Sequence, residues 1–276
     1  MTQMEVLMAP MLQDYVELKR LIDSLYDVQE TRKRVDNRMR GTPSLEIFGN
    51  LQPIEDATTK IIQKKLAVIP IWNIFMEDVK GLGPRLGSYI ISKTMVKYIP
   101  VQEADLVNYS QFQQELAQKT EDEEYLVPMR RGIEAFANIS KYWAYWGLSV
   151  EDGEAQRRKK GEKAGYDPVN RATMWKLGKQ FVMQGERYRA HYDRYKTRKT
   201  EQCTPPERCP SYNLNTWCKN RVEKDKPPTC KNHIHRMAMR YAVKQFMKDL
   251  WINWRTLEGL SVTEPYVIAV LGHEKK

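Results

Sequence analysis

Between His233 and Glu258, Ile234, Ala238, Ala242, Phe246, Leu250 and Trp254 recur every four residues. Arg236, Arg240, Lys244 and Lys248 recur with the same period, two positions out of step. Two residues are about 200° round an α-helix, so the apolar and basic stripes lie on opposite faces. The pattern predicts a long helix that docks on a core and presents a ladder of positive charge. Gly259 ends it, and Pro265 starts a short tail. Similar helical periods occur elsewhere. Met11, Tyr15, Leu18, Ile22 and Leu25 alternate by four and three from about Pro10, a run of roughly two heptads that suits packing within a domain or a short dimer seam. Met174, Gly178, Phe181, Gly185, Tyr188, Tyr192 and Tyr195 alternate likewise inside a helix expected from about Asn170 to Lys199. Gly178 and Gly185 offer close approach along that seam. No strand-like alternation of useful length stands out, so the expected class is all-α or nearly so.

The stretch Lys80-Gly81-Leu82-Gly83-Pro84-Arg85-Leu86-Gly87 reads as the turn of a helix-hairpin-helix. Ile71, Ile74, Phe75 and Val79 precede it, and Leu86, Ile90, Ile91 and Met95 follow at helical spacing. Gly81 and Gly83 can take backbone angles closed to other residues. Pro84 suits the first position of a helix, where its missing N–H is not needed. Amides at such a helix start attract anions, and Lys80 and Arg85 add full charges. The candidate contacts to a nucleic-acid phosphate are therefore Lys80, Gly81, Gly83 and Arg85. The competing reading is an ordinary Gly-Pro turn.

Charge distribution points the same way. The chain carries a net charge of +10 and a pI near 9.3, which favours a polyanionic partner. Met1 to Pro70 holds ten acidic and ten basic residues, whereas Gln156 to Thr200 holds fourteen basic residues against four acidic. The excess is a localised footprint. It includes Arg157, Arg158, Lys159 and Lys160 in a glycine-flanked loop, and the stripe Arg236, Arg240, Lys244 and Lys248 extends it. The expected partner is DNA or structured RNA, with a homodimer open. No run of about 18 apolar residues occurs, and the amino-terminus lacks a basic segment followed by an apolar one. Those features fit a cytoplasmic or virion protein.

Five segments are expected: 1–53, an amino-terminal helix and loop; 54–150, the hairpin core with an acidic insertion at about 100–124; 151–200, the basic loop and helix; 201–232, a Pro- and Cys-rich loop; and 233–276, the amphipathic helix and tail. The aromatic run Tyr142-Trp143-Ala144-Tyr145-Trp146 suits a core helix more than an exposed stacking platform. Cys203, Cys209, Cys218 and Cys230, followed by His233 and His235, could hold a structural zinc ion. They lack Cys-x-x-Cys spacing, so two disulfides or free thiols stay open. Ser149 is the candidate nucleophile, but no activating base is identifiable. Walker and dinucleotide fingerprints are absent, and no separated carboxylate set suggests a two-metal nuclease.

Three landmarks in order carry a family resemblance: Gly81-Leu82-Gly83-Pro84, then Tyr142 to Leu148 ending in Gly147-Leu148, then the glycine-rich basic stretch entering the helix at Ala172 to Tyr195. Over residues 54–200, and to 258 at its widest, the chain resembles the carboxy-terminal domain of Piv-type invertases and related insertion-sequence transposases. The resemblance implies helical architecture, a phosphate-binding hairpin and an origin in a mobile element, phage or archaeal virus. It also raises a recombinase subunit with a serine nucleophile as the alternative activity, beside a structural assembly protein. Family members carry four acidic residues on an amino-terminal ribonuclease-H-like sheet, which the first 70 residues here do not supply. Many also place a serine before glycine a few residues after Gly-Leu; that place is Val150-Glu151-Asp152-Gly153, and Ser149 sits early.

Overall fold

Local backbone chemistry fixes where the helices begin and end. The computed structural model describes residues 12–40, 51–100, 126–151, 154–156, 161, 165–201 and 231–263. Its elements are α1 (Leu12–Arg38), α2 (Gln52–Leu66), a π-helical turn (Trp72–Met76), α3 (Pro84–Met95), β1 (Val96–Pro100), β2 (Leu126–Arg130), a 3-10 turn (Ile133–Ala135), α4 (Ile139–Tyr145), β3 (Val150–Glu151), β4 (Glu154–Ala155), α5 (Pro168–Gln184), α6 (Glu186–Glu201) and α7 (Lys231–Leu257). The protein is all-α apart from two antiparallel two-stranded ribbons. The β1–β2 ribbon, pairing Val96 with Arg130 through Pro100 with Leu126, has no periodic signature in sequence. Pro84 opens α3, with Gly83 extended at its cap. Asn138 caps α4 by accepting from the Lys141 amide at 2.9 Å. Asp167 caps α5 by accepting from the Val169 amide at 2.8 Å, and Pro168 takes the first helical position.

The chain divides into two compact units, Met1–Asp78 with Gly83–Ala135, and Val79–Leu82 with Phe136–Lys276. The division falls inside the glycine turn. In the first unit α1 packs on α2 and α3, burying Leu18, Ile22 and Leu25 against a core that includes Ile62, Leu66, Ile90 and Ile91. Tyr15, Leu18, Ile22 and Leu25 of the amino-terminal run are thus buried within their own unit, and Met11 lies outside the described residues. Glu55 is 1% exposed and accepts from Arg32 Nε at 2.5 Å. That bond, above all, holds its carboxyl below the usual range, and it ties α1 to α2 with a charge-assisted contact.

The helix expected before the hairpin is short and mostly π-wound. A π turn carries more residues per revolution than an α turn, so it changes which side chains face inward. Trp72 and Met76 are buried with Ile71, whereas Ile74 is 62% exposed. α3 buries Ile90, Ile91 and Met95 as its spacing predicts. Gly87 is the residue that lets α3 approach Trp72. A Cβ built there would lie 2.2 Å from the indole Cζ3.

In the second unit α7 packs on α6, α5 and α4. Ile234, Ala238, Ala242, Phe246, Leu250 and Trp254 are all buried. The helix expected over 170–199 is broken in two. Gly185 has φ +82° and Glu186 φ +66°, so α5 ends there and α6 starts afresh. A Cβ at Gly185 would meet nothing within 4 Å. Its job is therefore the turn, not close packing; Gly178 supplies the close approach. Phe181, Tyr188 and Phe246 form a ring cluster with centroids 4.8–5.5 Å apart. α4 belongs to the core as its aromatic run predicts, with Tyr142 and Trp146 fully buried. Trp251 Nε1 donates to the Phe136 carbonyl at 2.8 Å, and the buried Arg255 guanidinium donates to the Ser261 carbonyl at 2.7 Å.

Gly87→Ala is expected to lower stability by about 1–3 kcal/mol, the usual cost of overpacking a core. Gly165→Ala, whose new Cβ would only reach ordinary contact at 3.7 Å, is the control. Thermal unfolding of the two variants beside the parent measures the difference; equal midpoints would show that Trp72 yields freely.

Candidate nucleic-acid interface

The glycine turn divides its labour among its residues. Gly81 has φ +89°, and a Cβ there would lie 3.1 Å from the Gln180 carbonyl carbon and oxygen. This glycine packs against the backbone of α5, and Leu82 beside it is buried. Gly83 is exposed, and a Cβ there would meet nothing within 4 Å. Lys80 is exposed. Arg85 is half-buried; its Nε donates to Thr59 Oγ1 at 3.1 Å, and its Nη1 lies 3.8 Å from Glu55. The open part of the motif is thus the start of α3 at Gly83, while Arg85 leans on α2.

The basic stripe of α7 is less open than an amphipathic helix alone would make it. Arg236 is exposed, but Arg240, Lys244 and Lys248 are only partly so. Arg240 Nη2 donates to the Ser149 carbonyl, and its Nε is buried with no hydrogen-bond partner. Burial, then the neighbouring charge of Arg171, pulls the Arg240 pKa below its ordinary value. Lys244 Nζ lies 3.9 Å from the centroid of the Trp143 ring, and Trp143 Nε1 donates back to the Lys244 carbonyl at 3.2 Å. Lys248 sits 4.0 Å from Asp249, which also takes Arg187 at 2.7 Å and the Tyr188 hydroxyl at 3.1 Å. The stripe thus has an exposed end at Arg236 and a covered middle, because α4 and the Ser149 segment lie over it.

Sequence reasoning did not single out Arg171 as a site residue. Its guanidinium lies 4.7 Å from the Tyr166 ring and donates to the Gln156 carbonyl. Arg171, Arg236 and Arg240 line one cleft of about 940 Å³ with Trp175, Met237 and Met239. No described carboxylate lies within ion-pair range of these three arginines. Along α6, Arg194, Lys196 and Arg198 are exposed, and none pairs with a described carboxylate; Arg189 spends its charge on Asp193 at 2.8 Å.

Ser149 is half-buried. Only its carbonyl has a described role, and no histidine or carboxylate among the described residues hydrogen-bonds to its hydroxyl. Arg157, Arg158, Lys159 and Lys160 lie outside the described residues, as do Cys203, Cys209, Cys218 and Cys230. Of the two histidines beside the cysteine segment, His235 shares a 2.7 Å hydrogen bond between its Nδ1 and the Tyr192 hydroxyl oxygen. Burial, then Lys196 and Arg236, depresses the His235 pKa and favours the neutral ring. His233 lines the arginine cleft. Among the described residues no group of three or more His, Cys, Asp or Glu could hold a metal ion, and no helix is long and apolar enough to cross a membrane.

No protein family, characterised protein or solved structure matches the chain.

Burial, then the charge of Arg240, pushes the Lys244 pKa down from 10.5 to about 8. The unfolded chain therefore holds the extra proton between those values. The charged amine costs stability below that window, and the cost fades as pH rises through it. The Trp143 ring face offsets part of the cost. Lys244→Met is expected to raise the melting temperature at neutral pH, with the gain shrinking as pH approaches 10.5. Scanning calorimetry across that range checks it. A gain constant with pH would show that the lysine charge is not penalised.

Proposed function

We propose that this protein binds nucleic acid through its phosphates, without reading base sequence. The observation that carries the reading is the surplus of cations on α5, α6 and α7 that no described carboxylate neutralises. α5 and α6 hold nine basic residues against three acidic, and α7 holds six against one. On α6, Arg194, Lys196 and Arg198 are exposed and pair with no described carboxylate, Lys196 and Arg198 lying 5.4 and 5.2 Å from the Tyr192 and Tyr195 ring centroids. Long cationic side chains on rigid helices suit a regularly charged polymer better than a single small anion. The exposed start of α3 at Gly83 offers a further phosphate contact through backbone amides. The resemblance to the carboxy-terminal domain of invertases and insertion-sequence transposases supports the same class of partner and a mobile-element or viral setting. Among the described residues no side chain activates Ser149 as a nucleophile requires, and the reading proposed is one of binding.

Binding to duplex DNA is expected to weaken steeply with salt. Six to ten phosphate contacts correspond to a loss of about three to five orders of magnitude between 50 and 200 mM. Replacing Arg194, Lys196, Arg198 and Lys199 together by glutamate should flatten that slope and cut affinity. A salt-insensitive interaction, or a slope unchanged in the fourfold variant, would defeat the reading.

Gly83→Asp tests the start of α3. Aspartate is at least as good a helix cap as glycine, so unfolding temperature should hold or rise. Its carboxylate would occupy the free amides and repel phosphate, so DNA affinity should fall. Undiminished affinity would assign the contact to the basic helices alone. Gly81 makes a poorer probe, because its positive φ and the nearby Gln180 carbonyl strain any side chain placed there.

A further inference from the structure

The cleft between α5 and α7 has a chemistry that backbone binding does not use. Arg171, Arg236 and Arg240 are its basic lining residues, and the rest of its wall is mostly apolar, with Trp175, Met237 and Met239. Trp175 is 53% exposed, although it is a large aromatic on a packed helix. Lys179 Nζ lies 4.4 Å from its ring centroid, a contact that orients the indole and enriches the positive field beside it. Arg240 brings the most pointed observation. Its guanidinium is held by the Ser149 carbonyl, while its Nε is buried without any partner. Arg240 is half-buried with no described carboxylate in ion-pair range, and an anion in the cleft would offset the cost of holding that charge there. The wall is also pared back for the arginines. Gly147 is buried with φ +65°, and a Cβ there would lie 2.9 Å from the Arg171 Cβ.

A bare phosphate would leave the tryptophan and methionines unused, and a wholly apolar ligand would leave three guanidiniums unmatched. The complement is an anion joined to a flat, weakly polar ring. A volume of about 940 Å³ lies within the range of about 300–1,000 Å³ typical of small-ligand sites, with room for one or two nucleotides. We propose that this cleft is a nucleotide subsite, in which Arg171, Arg236 and Arg240 hold a phosphate and the Trp175 indole stacks with the base. The choice of a nucleotide among ring-bearing anions rests on the nucleic-acid reading above. The same chemistry is offered by a free mononucleotide and by the unpaired, phosphorylated end of a strand.

Calorimetric titration of the full chain distinguishes these sources. Its probes are adenosine 5′-monophosphate, adenosine, inorganic phosphate, and a short single strand with or without a 5′-phosphate. The monophosphate is expected to bind more tightly than adenosine or inorganic phosphate. If strand ends are the natural occupant, the 5′-phosphorylated strand binds tighter still and loses the gain without its phosphate; if free nucleotide is, the phosphorylated strand gains nothing. Arg236→Gln and Arg240→Met should each weaken the monophosphate about tenfold, the scale of losing one charge-assisted hydrogen bond. Trp175→Ala should weaken it about tenfold through lost stacking, and it should leave inorganic phosphate unaffected. Arg236 and Trp175 are exposed, so neither variant threatens the fold. No heat with either the monophosphate or the phosphorylated strand would overturn the subsite, as would binding indifferent to Trp175→Ala and Arg236→Gln. Salt-dependent duplex binding, followed in the same variants, separates the two readings. If it persists while the cleft fails to bind, only the subsite falls; if it is absent while the monophosphate binds, only the backbone reading falls.

Discussion

The close approach of α5 and α7 at Gly178 is the contact on which the second unit's chemistry depends. A Cβ at Gly178 would sit 3.2 Å from Val243 Cγ2 and 3.4 Å from Met239 Cβ, so the bare glycine lets the Val243 methyl and the Met239 side chain lie directly against α5. Ala238 and Ala242 keep α7 equally lean where it packs with Tyr192 of α6. This proximity places Arg171 of α5 in the same cleft as Arg236 and Arg240 of α7. Larger residues at these positions would separate the helices, and the arginines would become three unrelated surface charges. A steric property of one glycine is thereby converted into an electrostatic one.

Charge is handled differently in the two units. In the first, cations meet acids: Arg32 and Arg85 with Glu55, Lys65 with Glu17, Lys19 with Asp23. In the second, basic residues outnumber acidic ones on α5, α6 and α7, and Asp249 and Asp193 are already shared among Arg187, Lys248 and Arg189. Half-buried Arg240 and Lys244 instead lean on a carbonyl oxygen and an aromatic face. Such partners hold a cation in place without cancelling its field, which is what an anion-binding surface requires.

α7 was legible in the chain because a four-residue period on both its apolar and basic positions admits only one conformation. The amino-terminal run from Tyr15 to Leu25 and the second half of the hairpin were legible for the same reason. The break at Gly185–Glu186 was hidden, because Met174 through Tyr195 continue their alternation straight across it; spacing reports which residues are buried and says nothing of backbone direction between them. The π-wound turn was equally hidden, since a 3.6-residue period chose Ile74 where the backbone buries Trp72 and Met76. The β1–β2 ribbon has no alternation to announce it. Among the candidate contacts, Lys80, Gly83 and Arg236 are exposed as a binding role requires, whereas the packing of Gly81 on α5, the engagement of Arg85 with Thr59 and the half-burial of Arg240 depend on tertiary neighbours. The arginine cleft was out of reach for the same reason: Arg171 stands 65 positions before Arg236, and periodicity along one helix carries no information about the next.

The reversal of backbone hand at Gly185 and Glu186 has a geometric corollary. Unbroken, residues 168–201 would form a rod of about 50 Å, longer than the roughly 40 Å of α7 that it packs against. Divided, the chain presents two shorter cationic axes of about 25 Å each. One nucleic-acid strand advances about 3.4 Å per phosphate, so under the proposed binding each axis would match roughly seven phosphates. A ligand that is already bent, or that is unpaired and can bend without penalty, would follow both axes where a stiff double helix could follow only one.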